Sequence, residues 1–182
     1  KQRFGCQTIN IRRHPLGIAA SVSRLPRMRR VLLDEDNLRD ILAREVLDNA
    51  CLRALETCRN DPWKRLGFLI ALSVYVPLLQ ADQAPQAAPI VVRYEDLALD
   101  YYQTMEHLLF LLPGSSNSTP PPRNSWTTWR EEVPSRLQQC FGWKSALPDE
   151  ARRSIREVFE SFGEPLQREW AIYESLRKKY TR

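Results

Sequence analysis

The sequence predicts an α/β domain in which a parallel sheet is flanked by helices. Two short apolar runs have strand character, at residues 6–11 and 90–92. The second run contains only β-branched residues, which is typical of a parallel strand buried on both faces. Segments with helical spacing follow both runs. This alternation of strands and helices is typical of α/β architecture, in which the crossovers are right-handed.

The first strand leads into a helix predicted over residues 15–24. Pro15 is favoured at the first helical position, where a missing N–H costs nothing, and Pro26 ends the helix. Asp34 is a suitable N-cap for the next helix. That helix is predicted to be long and amphipathic and to extend from residue 34 to about residue 58.

A central buried helix is predicted over residues 63–80, with Asp61 as its N-cap and Pro62 in its first turn. Its apolar run, residues 66–79, is too short to span a bilayer, so we expect no transmembrane segment in the chain. Residues 81–89 contain two prolines and are predicted to form a linker before the second strand.

The remainder of the chain is predicted to be helical apart from one loop. Helical spacing returns over residues 99–112, and the Pro- and Ser-rich residues 113–124 are predicted to form a flexible loop. Two further helices, with dense mixed charge and regularly spaced apolar positions, are predicted at about 148–162 and 164–180.

Charge is unevenly distributed in this chain of 182 residues with a formal net charge of +5. Residues 1–30 contain basic side chains and no acidic ones. Such a block favours an anionic partner, namely a nucleotide, an acidic glycan, nucleic acid or a lipid surface. A solvated basic edge is the alternative for residues 24–30. Because the sequence has no aromatic-interleaved basic platform and no zinc-finger spacing, we expect no nucleic-acid partner.

Cysteine and histidine usage argues against a metal site. The chain has four cysteines, no Cys-x-x-Cys motif and two histidines, so we expect no metal cofactor. Asn117 begins a formal glycosylation motif, which would matter only in a secretory compartment.

A candidate anion site lies where the first strand meets the first helix. The strand ends at Arg13, His14 and Pro15 follow, and Ser21 lies eight residues after Arg13. A guanidinium fork, a hydroxyl and a helix N-terminus together favour binding of a phosphate. The alternative is an ordinary strand-to-helix crossover whose arginines are solvated.

This arrangement resembles the 3′-phosphate-binding segment of sulfotransferases that use 3′-phosphoadenosine 5′-phosphosulfate. In that family an arginine precedes Asp/His-Pro and a serine follows eight residues later, as Arg13 and Ser21 do here. A second match is Ile-Val-Val-Arg-Tyr-Glu-Asp-Leu at residues 90–97. The resemblance covers about residues 7–145, the C-terminal half of a family domain, and is closest to carbohydrate- and tyrosylprotein-type members.

The resemblance implies a fold and a domain organisation. Residues 1–145 would form the C-terminal portion of a P-loop-NTPase-like domain, with a parallel sheet flanked by helices. Residues 146–182 would form a helical extension that packs on this domain or on a partner. An upstream segment or a partner chain would complete the fold.

The resemblance also implies binding residues for 3′-phosphoadenosine 5′-phosphosulfate or adenosine 3′,5′-bisphosphate. Arg13 and Ser21 would contact the 3′-phosphate. Tyr94 would lie near the adenine, with a core tyrosine as the alternative. Arg123 or Arg130 would belong to a basic loop that closes over the phosphate, with a solvated loop arginine as the alternative for each.

Three other polar residues are predicted to have structural roles. His14 is expected to cap the first helix and to transfer no proton. Glu95 and Asp96 are expected to cap the turn into the next helix, and we do not assign them as general acid and base.

The sequence lacks two features that sulfuryl transfer requires as the resemblance implies it. Its six glycines are scattered singly, so it has no Gly-rich loop to hold the 5′-phosphosulfate, and no base is recognisable. The catalytic residues therefore stay unassigned.

Three functions are consistent with this pattern. The first is the C-terminal half of a sulfotransferase acting on a carbohydrate or protein hydroxyl, in the Golgi or secretory lumen if it is a carbohydrate-type member. The second is a non-catalytic scaffold or interaction subunit of a larger assembly. The third is a fragment of another P-loop-type nucleotide-binding protein, such as a kinase.

Overall fold

The structure, a computed structural model, describes residues 8–25, 48–58, 60–85, 88–112, 137 and 139–181. Its elements in chain order are β1 (Ile9–Arg12), α1 (Pro15–Ser23), α2 (Asn49–Glu56), α3 (Pro62–Gln83), β2 (Ile90–Arg93), α4 (Tyr94–Leu99), α5 (Tyr101–Leu111), α6 (Trp143–Ala146), α7 (Asp149–Ser161) and α8 (Glu164–Tyr180). The predicted loop at 113–124 and the first part of the predicted helix at 34–58 lie outside the described residues.

The predicted fold class, a P-loop-like parallel sheet flanked by helices, is wrong. Most of the described residues are helical, and the sheet they form has two strands. These strands are parallel, with Ile9 opposite Ile90 in register. The prediction that the strand at residues 90–92 is buried on both faces is wrong, because Val91 is 39% exposed. On β1, Ile11 is 58% exposed. Each strand has four residues, so the sheet is too small to be the centre of the fold. Helical periodicity dominates the other described residues.

The core is built around α3, as the apolar pattern predicts. α7 packs along α3, and α1, α2 and α8 also contact it. α3 and α7 approach each other closely at Gly67, where a Cβ atom would lie 3.1 Å from the Cα of Ile155 on α7. The 22 residues of α3 exceed the predicted apolar run and meet the length and composition of a membrane span, a test that buried core helices of soluble proteins also pass.

Asp61 is the N-cap of α3, which confirms the prediction from the sequence. Its Oδ1 accepts hydrogen bonds from the backbone N–H groups of Trp63 at 2.8 Å and Lys64 at 3.2 Å. Its Oδ2 accepts a hydrogen bond at 2.6 Å from the hydroxyl of Ser154 on α7. The cap therefore also joins the two helices that form the largest part of the core.

The long helix predicted over residues 34–58 is not continuous. Asp48 has extended backbone angles and accepts hydrogen bonds from the N–H groups of Ala50 and Cys51, so a new helix, α2, begins at Asn49. An aspartate followed by helix-forming residues is an N-cap signal at any position. Asp48 was not predicted as a cap because it lies within an apolar pattern that predicts one continuous helix.

Other boundaries differ by a few residues. α3 continues to Gln83, so the first part of the predicted linker 81–89 is helical. The predicted helix at 99–112 corresponds to α5, and the short α4 precedes it. The two C-terminal helices lie within two residues of their predicted bounds, and Gly163 separates them with a φ of 87°.

We expect Asp61→Ala to lower the free energy of unfolding by about 1–2 kcal/mol near neutral pH, the usual cost of removing an N-cap. Burial raises the pKa of this carboxyl, but the hydrogen bonds from Ser154, Lys64 and Trp63 outweigh it and hold the pKa of Asp61 below its ordinary value. A carboxyl with a depressed pKa stabilises the fold above its unfolded-state pKa and loses this effect as the pH falls. Urea unfolding at neutral and acidic pH should therefore show the deficit shrinking in acid.

Asp82→Ala is a suitable control, because Asp82 is exposed near the other end of α3. We expect this variant to keep the stability of the unaltered chain. Equal stability of Asp61→Ala and the unaltered chain at neutral pH would contradict the proposed role of the cap.

Candidate functional site

The candidate site is built on the junction between β1 and α1. His14 is the N-cap of α1, as predicted: its Nδ1 accepts a hydrogen bond from the N–H of Leu16 at 3.1 Å. Its carbonyl accepts from the N–H groups of Gly17 and Ile18 at 2.8 and 3.1 Å, and Pro15 has no N–H. The first turn of α1 thus has no free N–H group, so the predicted attraction of phosphate by the helix N-terminus is not supported. An anion here would depend on side chains.

Arg13 contacts two other predicted binding residues. Its Nη1 donates to the hydroxyl of Ser21 at 2.9 Å, and its Nη2 donates to the carbonyl of Gln139 at 2.8 Å. The guanidinium carbon lies 4.9 Å from the centroid of the Tyr94 ring, in cation–π geometry. We call Arg13, Ser21 and Tyr94 the arginine cluster.

Two predicted binding residues cannot be placed relative to this cluster. Arg123 and Arg130 lie outside the described residues, as does the glycosylation motif at Asn117. The loop expected to close over a phosphate therefore stays a prediction.

Gly17 allows Arg13 to lie along α1. Gly17 and Ser21 lie one turn apart on the same face of α1, and the side chain of Arg13, which precedes the helix, reaches along this face to Ser21. A Cβ atom at Gly17 would lie 3.0 Å from the Nε of Arg13, which is buried and has no hydrogen-bond partner. Gly17 was not predicted as part of the site, although its position midway between Arg13 and Ser21 is a usable signal.

Glu95 connects α4 to the same junction. Its side chain is fully buried, and Oε1 accepts a hydrogen bond from the backbone N–H of His14 at 2.8 Å, whereas Oε2 is buried without a partner. Burial raises the pKa of Glu95, against the opposing effects of the His14 hydrogen bond and the charges of Arg13 and Arg93. Its predicted role as a cap of the next turn is wrong, because it lies in the first turn of α4 and points its oxygen to another element.

Asp96 also has a different role from the predicted cap. It lies in the first turn of α4, whose N-cap is Arg93. Its Oδ1 accepts a hydrogen bond from the hydroxyl of Tyr180 at 2.7 Å and lies 3.5 Å from the Nζ of Lys179. Asp96 thus ties α4 to the end of α8.

A buried ion-pair network fixes the sheet against α8. Glu169 accepts from the Nη1 of Arg12 at 3.1 Å through Oε1 and from the Nη1 of Arg93 at 2.5 Å through Oε2. Arg93 also donates to the hydroxyl of Tyr173 at 3.1 Å. One carboxylate thus serves two arginines, which leaves positive charge at this end of the sheet. No sequence motif signals Glu169, because its partners are remote along the chain.

His14 is held neutral. It is fully buried against the rings of Trp143, Trp170 and Tyr173. Burial, and then the charges of Arg177 and Arg13, lower the pKa of His14 to about 3. The imidazole therefore remains uncharged at neutral pH, which agrees with a structural role.

In the part of the chain that the structure describes, the arginine cluster belongs neither to a group of metal ligands nor to the surface cavity beside β2. Among the described residues, no group of three or more His, Cys, Asp or Glu side chains is arranged to hold a metal ion. A surface cavity of about 260 Å³ lies beside β2 and α5, with Asp96, Asp100 and Lys179 in its lining. The arginine cluster does not line this cavity. Arg13 contacts Ser21, the carbonyl of Gln139 and the ring of Tyr94.

Comparison with known proteins yields no relative of this chain: no family model, no curated protein and no solved structure matches it.

We expect Glu169→Gln to lower the free energy of unfolding by about 3–5 kcal/mol, because removing the charge of a buried carboxylate leaves Arg12 and Arg93 unpaired in the core. Glu164→Gln is the matched control, since the Glu164–Arg168 pair is exposed on the same helix and such pairs contribute little. Urea unfolding of both variants measures the difference. Similar stabilities of the two variants would show that the network does not hold the sheet.

Proposed function

We propose that this chain binds the 3′-phosphate of 3′-phosphoadenosine 5′-phosphosulfate or adenosine 3′,5′-bisphosphate, as the nucleotide-binding part of a sulfotransferase. The observation that carries the proposal is that Arg13 contacts both Ser21 and Tyr94. Tyr94 lies far from Arg13 along the chain. These are the residues that the resemblance assigns to this ligand. A guanidinium, a hydroxyl and an aromatic ring match a phosphate beside a nucleoside.

The charges around the arginine cluster support an anionic ligand. Arg12, Arg13 and Arg93 lie at one end of the sheet, whereas Glu169 pairs with two of them and Glu95 is buried beside the third. A phosphate that replaces the Gln139 carbonyl and shares Arg13 with Ser21 would bring opposite charges together, in addition to the charge-assisted hydrogen bonds that Arg13 already makes.

The transfer step needs groups that these residues do not supply. The sequence holds no Gly-rich loop for the 5′-phosphosulfate, and His14, buried and with its pKa lowered to about 3, is too weak a base to take a proton from an acceptor. We therefore propose that an upstream segment or a partner chain supplies the loop and the base, and that the acceptor is a carbohydrate or protein hydroxyl. The chain by itself is expected to be inactive.

A second candidate is a non-catalytic interaction subunit. It is favoured by the contacts of Arg13, whose two terminal nitrogens already donate to Ser21 and Gln139. In this alternative the arginine cluster ties α1 to the segment before α6 and binds no ligand.

Isothermal titration with adenosine 3′,5′-bisphosphate separates the two candidates. We expect Arg13→Ala to weaken binding by about 1.5–3 kcal/mol, roughly 10- to 150-fold, as for a hydrogen bond to a charged group. Arg24→Ala, an exposed arginine one residue after α1, is the control that removes the same charge and should bind like the unaltered chain. AMP, which lacks the 3′-phosphate, should bind much more weakly than the bisphosphate.

Ser21→Ala is expected to weaken the same interaction by about 0.5–1.5 kcal/mol, because it removes one neutral hydroxyl from the cluster. Circular dichroism of each variant checks that the fold is retained. The nucleotide-binding proposal fails if the bisphosphate does not bind, with or without a co-purifying partner, or if folded Arg13→Ala binds it as well as the unaltered chain does.

A further inference from the structure

Glu95 is a buried carboxyl group whose contacts use only one of its two oxygens. Oε1 accepts the N–H of His14, the residue after Arg13, and Oε2 is buried with no hydrogen-bond partner. Glu95 also directly follows Tyr94, whose ring lies against the Arg13 guanidinium. Glu95 is thus linked to the arginine cluster through His14, which follows β1, and through Tyr94, which follows β2. One of its two carboxyl oxygens nevertheless has no partner.

Among the described residues, the titratable groups that interact with Glu95 belong to the β1–α1 junction, β2, the segment before α6, and α8: Arg13, His14, Arg93, Cys140 and Tyr173. Burial raises the pKa of the thiol to about 11 and that of the phenol to about 12. The imidazole has its pKa lowered to about 3, mainly by burial, and the two guanidinium groups stay charged. Glu95 is the carboxyl of this group: burial raises its pKa, and a further negative charge placed nearby would raise it again, so it is the member most ready to take up a proton.

We propose that Glu95 takes up a proton from solvent when a phosphate dianion binds to Arg13, so that the carboxyl becomes neutral as the ligand brings its own negative charge. This inference rests on the proposed function. A phosphate on Arg13 would place a second negative charge near the buried carboxylate of Glu95, and repulsion between like charges is strong where the dielectric constant is low. Protonation removes that repulsion, and the Arg13 charge then acts on the phosphate.

The proposal predicts the sign of the pH dependence. If the bound state holds more protons than the free state, affinity for the dianion rises as the pH falls, until Glu95 is already protonated in the free chain. A nucleotide phosphate itself takes up a proton near pH 6. Inorganic sulfate does not do so in this range, and it is therefore the cleaner probe of the protein group.

Isothermal titration of the unaltered chain with sulfate and with adenosine 3′,5′-bisphosphate, in buffers of different ionisation enthalpy between about pH 6 and 8, measures the protons exchanged on binding. We expect both anions to bind with uptake of a measurable fraction of one proton. We also expect tighter binding of sulfate at the lower pH.

Two variants assign the proton. Glu95→Gln keeps an oxygen that can accept the N–H of His14 but cannot titrate, so proton uptake should vanish and the affinity for sulfate should become independent of pH. Asp96→Asn alters the neighbouring carboxyl, which is bonded to Tyr180 and Lys179 on α8. This control should take up protons as the unaltered chain does.

The outcomes separate this inference from the proposed function. Absence of binding by both anions overturns the two together. Binding without proton uptake, or uptake that persists in folded Glu95→Gln, overturns the role of Glu95 and leaves the nucleotide-binding proposal standing. Should Glu95→Gln fail to fold, the sulfate titration of the unaltered chain decides, because absence of proton uptake there overturns the inference without any variant.

Discussion

The carboxylate of Glu169 holds together the parts of the chain from which the arginine cluster is built. It pairs with Arg12 and Arg93, which are 157 and 76 residues distant along the chain and stand opposite each other at the ends of β1 and β2. Two guanidinium groups this close would repel each other in the core without an anion between them. Arg13 directly follows β1, and Tyr94 directly follows β2. The position of α8 therefore also sets the distance between the arginine and the aromatic ring of the candidate site.

Two adjacent arginines have different partners because Arg12 is the last residue of β1, whereas Arg13 lies beyond the strand, in the junction before α1. Arg12 is 5% exposed and is directed to Glu169 on α8. Arg13 turns along α1, where Gly17 leaves space for its side chain and Ser21 accepts its hydrogen bond. The first arginine therefore stabilises the fold, and the second is held at the edge of the core, within reach of a ligand. A composition count that treats residues 1–30 as one basic block cannot separate these two roles.

Local signals in the sequence were sufficient for part of this description. The caps at Asp61 and His14, the bounds of α7 and α8, and the spacing of Arg13 and Ser21 all follow from residues close together in the chain. The fold class did not follow, because two strand-like runs do not determine how many strands a sheet has or which faces helices cover. Glu95 and Glu169 were also missed as partners of His14 and Arg12, since those pairings arise only when distant segments pack together.

The contacts that occupy Arg13 are compatible with its proposed role in binding. Both of its hydrogen bonds end on neutral oxygens, a hydroxyl and a backbone carbonyl. A phosphate would offer charged oxygens to the same fork and would add the attraction between opposite charges and a bidentate geometry, neither of which a neutral carbonyl supplies. The carbonyl of Gln139 that such a ligand would displace is exposed, so it could bond to water instead. Ser21 and Tyr94 hold the Arg13 side chain in place, which would reduce the conformational entropy lost if the proposed ligand binds.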